Sequence, residues 1–225
     1  MKIFPSRPVV IREVEGKGKG LVTTRTLKPG ELVLAEFPLL IGSITHTGLR
    51  IRGEGSSGES SGLRVRSLIQ SFNALGPEQK ALVMALQAPE ATKNSVTHPE
   101  LGEEDRKLLR IFGSNNIEVD KGRCGLYEIT SRINHSCSPN AFWGVDASDT
   151  KLTVQTCRSV EMGEEIVVDY YMFNLFPVRQ ERISRILEDR LFICRFLKLK
   201  HRLLLLSAGA IFARCLRQRW RGMTT

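Results

Sequence analysis

The chain has 225 residues, 41% hydrophobic and 25% charged, which is enough for one substantial globular domain with appendages. Its net charge of +9 resembles a nucleic-acid footprint until it is located: from Val178 onward 12 Lys/Arg meet three acids, while residues 1–177 carry 21 of each sign. The body is neutral, so direct nucleic-acid binding by it is not expected.

Residues 8–12 and 31–41 combine β-branched and apolar residues between turn signals and predict strands, with the KPG turn at 28–30 before the second. GEGSSGESSG, 53–62, reads as a flexible surface loop by composition. Val65, Leu68, Ile69, Phe72 and Leu75 then recur at helical spacing. GPEQKALVMAL follows, with Pro at a helix start and an acid in the first turn, and a further short helix is expected at about 102–112. Short strands return from Ile117 in LYEIT, KLTVQTCRSV and EEIVVDYY, the last two joined by a turn at 161–165. A helix is expected from Val178 to about Phe192, where Ile183, Ile186, Leu187 and Leu191 share a face. The order is strands, helical insert, strands, helix. It lacks the regular alternation of a parallel sheet and predicts an α+β domain of several small sheets over residues 1–177, with the insertion at about 43–113.

Five cysteines at irregular spacing (Cys124, Cys137, Cys157, Cys194, Cys215), and a start without the apolar core of a secretory signal, point to an intracellular, reducing compartment, nucleus or cytoplasm. The longest apolar run, 203–213, has 11 residues and is too short to span a bilayer as a helix.

Three stretches carry chemistry. GKGKGL, 16–21, lies between two strand-like segments. Its glycines let a ligand approach the backbone, and Lys17 and Lys19 offer cations to an anionic group; taken alone, the plain glycine-rich hairpin turn is the favoured reading. It opens no helix and has no Lys-Ser/Thr ending, so neither a P-loop nor a dinucleotide fingerprint fits. RINHSCSPNA, 132–141, is too polar for a core strand. His135 and Cys137 at i and i+2 could serve as metal ligands, as a thiol–imidazole pair, or as parts of a hydrogen-bonded turn. VVDYYMF, 167–173, ends an apolar strand in an acid and two tyrosines, either an amphipathic strand edge or a phenol at the bottom of a pocket.

Together, GKGKGLVTTRTLKPGELVLAEFPLL, NHSCSPNAFW and GEEIVVDYY, in that order, resemble the SET-domain protein lysine methyltransferases. The insert carrying SFNALGPEQKAL is most similar to the fungal and MYND-associated branch, although no MYND-type Cys/His cluster is present. The resemblance covers roughly residues 8–194. It implies small sheets with pseudoknot-like threading at the Asn-His bend, S-adenosylmethionine as cofactor, and a protein partner, histone or non-histone, that presents a target lysine. By position it implies that Lys17, Gly18, Lys19 and Gly20 line the cofactor, with the lysines near its carboxylate. Asn115 would hold its amino-acid moiety, and Asn134 and His135 its amine and adenine ends. Tyr170 matches the catalytic tyrosine, with Tyr171 beside it.

The likeness breaks in the C-terminal region. Cys137 and Cys194 match two ligands of the family's structural zinc site, but Phe196 stands at the next cysteine position and residues 198–200 offer no third. Two ligands do not close such a site. Arg190 replaces an aromatic wall of the lysine channel and Ile117 replaces a phenylalanine. Residues 178–194 thus read as the remnant of a post-SET helix. From 195 to 225 the chain carries eight Lys/Arg and no acid, an atypical basic tail expected to be a read-through or shifted-frame product. The competing reading of that tail is an amphipathic helix lying on a membrane or on nucleic acid. For function, the alternative to an enzyme is a catalytically weak SET module that acts through binding.

Overall fold

The computed structural model describes residues 7–43, 58–88, 100–120 and 122–170. In chain order, β1 (Val9–Val14) and β2 (Gly18–Thr23) form a hairpin, followed by β3 (Leu32–Glu36) and β4 (Leu40–Gly42). The helices α1 (Gly58–Asn73), α2 (Pro77–Met84) and α3 (Glu103–Asn115) come next. Then follow β5 (Ile117–Asp120), β6 (Arg123–Leu126), a 3-10 turn (Thr130–Arg132), β7 (Asn134–His135), β8 (Ala141–Val145), β9 (Leu152–Thr156) and β10 (Glu165–Val168). The strands make three small sheets, ordered β1-β2-β10-β7, β3-β9-β8 and β4-β6-β5. This is the α+β architecture expected from the sequence.

Three expectations differ from what is observed, each for a local reason. LYEIT, expected as a strand, contributes only Leu126, the last residue of β6, because the Ile129 and Thr130 N–H groups donate to the Glu36 carboxylate and the chain turns there. The single strand expected at 31–41 is two strands in different sheets, β3 pairing with β9 and β4 with β6. Pro38 lies between them, and without an amide hydrogen it cannot continue a ladder. At 53–62, α1 already starts at Gly58. A helix anchored by the buried Val65, Leu68 and Phe72 extends outward cheaply, because adding a turn is far easier than starting one. The expected helix from Val178 and the basic tail lie outside the described residues.

Two apolar clusters hold the described part together. Leu21, Leu27, Tyr127, Ile133, Leu152 and Ile166 belong to one, formed where the β1-β2-β10-β7 and β3-β9-β8 sheets meet. The other packs the helical insert onto β4 and β6 through Leu68, Phe72, Leu108, Ile111, Phe112 and Leu126. All of these side chains are 0–3% exposed, and burying each stabilises the fold by about 1.5–3 kcal/mol. Helix α2 opens with Pro77 at its start and Gln79 reaching back to accept from the Gly76 N–H at 3.4 Å. Helix α3 opens on Glu103, Glu104 and Asp105, which suit the positive end of the helix dipole.

One ionisable group is built into the interior. Glu36, at the end of β3 and 6% exposed, accepts from the backbone N–H of Ile129 (3.1 Å), the backbone N–H of Thr130 (2.6 Å) and the Thr130 hydroxyl. It thereby fixes the 3-10 turn that leads directly into Ile133, Asn134 and His135.

Candidate active site

Strand β10 brings the three chemistry-bearing stretches together. On one side it pairs antiparallel with β2, Glu165 opposite Val22 and Ile166 opposite Leu21. On the other it pairs parallel with β7, Val167 opposite Asn134 and Val168 opposite His135. The glycine-rich turn and the Asn-His bend therefore flank one strand, and Tyr170 stands just past its end. After β7 the chain stays on β10: Ser136 N–H donates to the Val168 carbonyl (2.9 Å) and Asn140 N–H to the Val167 carbonyl (3.1 Å). Asn140, fully buried, acts as a side-chain extension of the ladder. Its Oδ1 accepts from Val167 N–H (2.8 Å), and its Nδ2 donates to the Glu165 carbonyl (2.8 Å) and to Glu164 Oε1 (3.1 Å). Much of the polarity of residues 132–141 thus serves to hold that loop around β10, where the sequence resemblance places the threading.

At the glycine end, the turn closes through Lys17 N–H to the Val14 carbonyl (3.0 Å), and Gly18 takes a φ of +73°, open to glycine at little cost. Lys17 Nζ lies 2.5 Å from Glu165 Oε2, and Asn134 Nδ2 donates to Glu165 Oε1 (2.7 Å) and to the Lys19 carbonyl (3.1 Å). Space for this cluster depends on Gly20, where a Cβ would stand 2.7 Å from Val14, 2.9 Å from Asn134 Nδ2 and 2.9 Å from Glu165 Oε1. Gly20→Ala is therefore expected to push Asn134 off Glu165 and lower stability by about 1–3 kcal/mol, the usual cost of overpacking. Thermal denaturation measures the loss. A variant as stable as the wild type would mean that the neighbours yield freely.

At the other end, Tyr170 is held from three directions. Its hydroxyl donates to the Ile133 carbonyl at 2.5 Å, and its backbone N–H donates to His135 Nδ1 at 3.2 Å. Its ring stacks on Trp143 (centroids 6.1 Å apart, planes at 23°) and tilts against His135 (5.3 Å, 55°). Nε2 of the buried His135 lies 3.1 Å from Cys137 Sγ. Of the thiol–imidazole, metal and turn readings of NHSC, the geometry shows His135 and Cys137 in contact and the segment hydrogen-bonded throughout. Ile117, Trp143, Val145 and Tyr170, all partly buried, each pack against the first core cluster.

Asn115 spends its Nδ2 on the carbonyls of Gln87 (2.7 Å) and Ile111 (2.8 Å), tying the end of α3 to the segment after α2. The Gln87 side chain in turn lies over Gly18, 3.4 Å from where a Cβ would be. Arg132 donates to the Ala85 carbonyl at 2.9 Å, so this segment touches both the glycine turn and the Asn-His approach. Gln87, Trp143 and Glu165 are neighbours of the site that sequence reasoning did not single out. Two of them lie inside stretches quoted for the resemblance, Glu165 in GEEIVVDYY and Trp143 in NHSCSPNAFW, while Gln87 lies in none. Tyr171, Arg190 and Cys194 lie outside the described residues. Among the described residues no group of three or more His, Cys, Asp or Glu is placed to hold a metal ion, and Cys137 is the one expected zinc ligand that can be located.

The SET domain model matches residues 18–171. The chain belongs to the SET domain family. Among curated SET relatives, histone-lysine N-methyltransferase set5 of Schizosaccharomyces pombe is 35% identical over 87 residues, 39% of this chain and 27% of that protein. Histone-lysine N-methyltransferase SMYD3 of Homo sapiens is 28% identical over 87 residues, 39% of this chain and 19% of that protein. The chain thus spans well under half the length of the curated relatives it matches. A solved structure of a candidate histone methyltransferase from Plasmodium falciparum is similar at a TM-score of 0.39 and 12% identity, covering 75% of this chain and 96% of that one. That likeness is too distant to bear on function. No helix among the described residues of this SET chain is long and apolar enough to cross a membrane.

Proposed function

We infer that the protein is an S-adenosylmethionine-dependent protein lysine N-methyltransferase, acting in the nucleus or cytoplasm on a histone or another protein. The observation that carries the reading is the convergence on β10 of the glycine turn, the Asn134-His135 bend and Tyr170. The relatives named histone-lysine N-methyltransferases support the same reaction class.

The residues present fit such a cofactor at its amino-acid end. The opposite charges of Lys17 and Glu165 and the amide of Asn134 converge beside a glycine turn, a donor set suited to a zwitterion. When bound, S-adenosylmethionine supplies an electrophilic methyl group on a sulfonium. The remaining work falls to the chain. Tyr170 commits its proton to the Ile133 carbonyl, so its phenolic oxygen keeps lone pairs to face a polarised methyl group, and the carbonyl adds a second oxygen nearby. The Trp143 ring stacked on Tyr170 supplies an apolar wall. The neutral amine is the form able to attack, and loss of the water around an ammonium beside the ring shifts it toward that form. His135, accepting from the Tyr170 backbone, fixes where the phenol stands. Cys137 and Cys194 by themselves leave the family's zinc site incomplete, and one zinc per purified chain by metal analysis would mean that further ligands close it.

The test is calorimetry with S-adenosylhomocysteine followed by transfer of a labelled methyl group to histones and to lysate proteins. The expected result is binding together with label on lysine. Binding without turnover on any substrate would select a SET module that acts by binding, and no binding would end the cofactor reading.

A further inference from the structure

We propose that Glu165 is a cofactor-binding residue, receiving the α-ammonium of the ligand's amino-acid moiety while Lys17 receives its carboxylate. This rests on the methyltransferase reading and adds to it a residue that the family resemblance does not assign.

The register defines which face Glu165 occupies. Glu165 stands opposite Val22 and Ile166 opposite Leu21, and Leu21 and Ile166 are wholly buried on the core side. Alternation along β2 then sets Gly18, Gly20 and Val22 on the same face as Glu165. Two of those three positions have no side chain, so Glu165 reaches into a notch in the sheet. Its carboxylate there is only partly covered, with the side chain 16% exposed and that of Lys17 31%.

A surface Lys–Glu pair needs no special explanation and usually adds little to stability. This pair differs in what shares it. Glu165 Oε2 takes Lys17 and Oε1 takes Asn134 Nδ2, while an ionised carboxylate has about four acceptor positions. Asn134 spends its Nδ2 on Glu165 and on the Lys19 carbonyl, which leaves Oδ1 as the atom it offers a donor. The notch therefore presents an ammonium donor at Lys17 and two acceptors, Glu165 and Asn134 Oδ1, within one side chain's reach of each other. An α-amino acid zwitterion, which carries its carboxylate and ammonium on one carbon, complements that pattern. A neutral ligand end brings no donor charge to the remaining acceptor positions of Glu165, and a purely anionic one sets a like charge beside them.

The experiment uses the whole chain, wild type and Glu165→Gln, with two probes: S-adenosylhomocysteine and its analogue lacking only the α-amino group. A charge-assisted hydrogen bond of about 1.5–3 kcal/mol corresponds to about 10- to 100-fold in affinity. Glu165→Gln is expected to weaken S-adenosylhomocysteine by that factor and to leave the deaminated analogue's affinity within about threefold of wild type. Equal or tighter binding of S-adenosylhomocysteine by Glu165→Gln overturns the proposal while the methyltransferase reading stands. Should the variant fail to fold, the wild type alone decides: the deaminated analogue must bind at least about 10-fold more weakly than S-adenosylhomocysteine, and equal affinity overturns the assignment. A wild type that binds neither probe overturns both the assignment and the cofactor reading beneath it.

Discussion

On the methyltransferase reading, replacing Tyr170 by Phe is expected to lower methyl transfer about 100- to 1,000-fold, the usual loss for one oxygen that stabilises a transition state, while affinity for S-adenosylhomocysteine stays within about threefold. Most of what holds the side chain survives the change. The ring still stacks on Trp143 and leans on His135, and the backbone N–H still donates to His135 Nδ1. What disappears is one oxygen, the donor to the Ile133 carbonyl, so the shape of the pocket is kept and its polarity changes. A group that acts mainly in the transition state shows in kcat rather than in ligand affinity. The orphaned carbonyl adds a stability cost of about 1–3 kcal/mol, which thermal denaturation separates from the catalytic effect. Single-turnover transfer of labelled methyl groups, paired with calorimetry, makes the measurement. An equally active Tyr170→Phe would remove the tyrosine from the chemistry and leave the reaction to other groups.

Period-based reading recovered the elements whose burial pattern is regular. Leu152, Val154 and Thr156 alternate inward along β9, and Val65, Leu68 and Phe72 line one face of α1. It did not separate β3 from β4, because the apolar run continues unbroken across Pro38 and only the partner strands differ. It did not anticipate β8 either, since in AFWGV only Ala141 is fully covered and the remaining residues are partly exposed on both faces. At the candidate site, Lys17, Gly18, Lys19, Gly20, Asn134 and His135 stand out because each belongs to a stretch too glycine-rich or too polar for its place, and Tyr170 because it ends an apolar strand beside an acid. Their neighbours Glu165, Gln87 and Trp143 do not. Each is ordinary in its own segment and becomes notable only through a contact far along the chain: Glu165 with Lys17, Gln87 with Gly18, Trp143 with Tyr170. Asn140 is the converse case. It looked like part of a site and proves to be the peg that secures the loop to β10.

Glu36→Ala is expected to be the most damaging single change to stability outside the apolar core, about 3–5 kcal/mol at pH 4. Three donors lose their acceptor in a dry interior, and each orphan costs about 1–3 kcal/mol. That total approaches the whole stability of an ordinary domain, about 5–15 kcal/mol. The opposing effect is desolvation. Burial pushes the Glu36 carboxyl above its ordinary value, and the hydrogen bonds from Thr130 and Ile129 offset this only in part. With the folded-state value raised, the folded chain binds the proton more tightly than the unfolded one between about 4.5 and the raised value. Wild-type stability therefore falls as pH rises through that window, by a contribution that the alanine variant lacks. The gap between wild type and Glu36→Ala should be widest below about pH 4.5 and narrower toward neutrality. Urea denaturation of both proteins at pH 4 and pH 7 reads it. A gap that widens with pH would mean that the three donors outweigh burial and hold the carboxylate ionised throughout. The same turn delivers Ile133 to the Tyr170 hydroxyl and Asn134-His135 to β10, so a variant that stays folded should also lose methyl transfer without any change to a residue that touches the ligand.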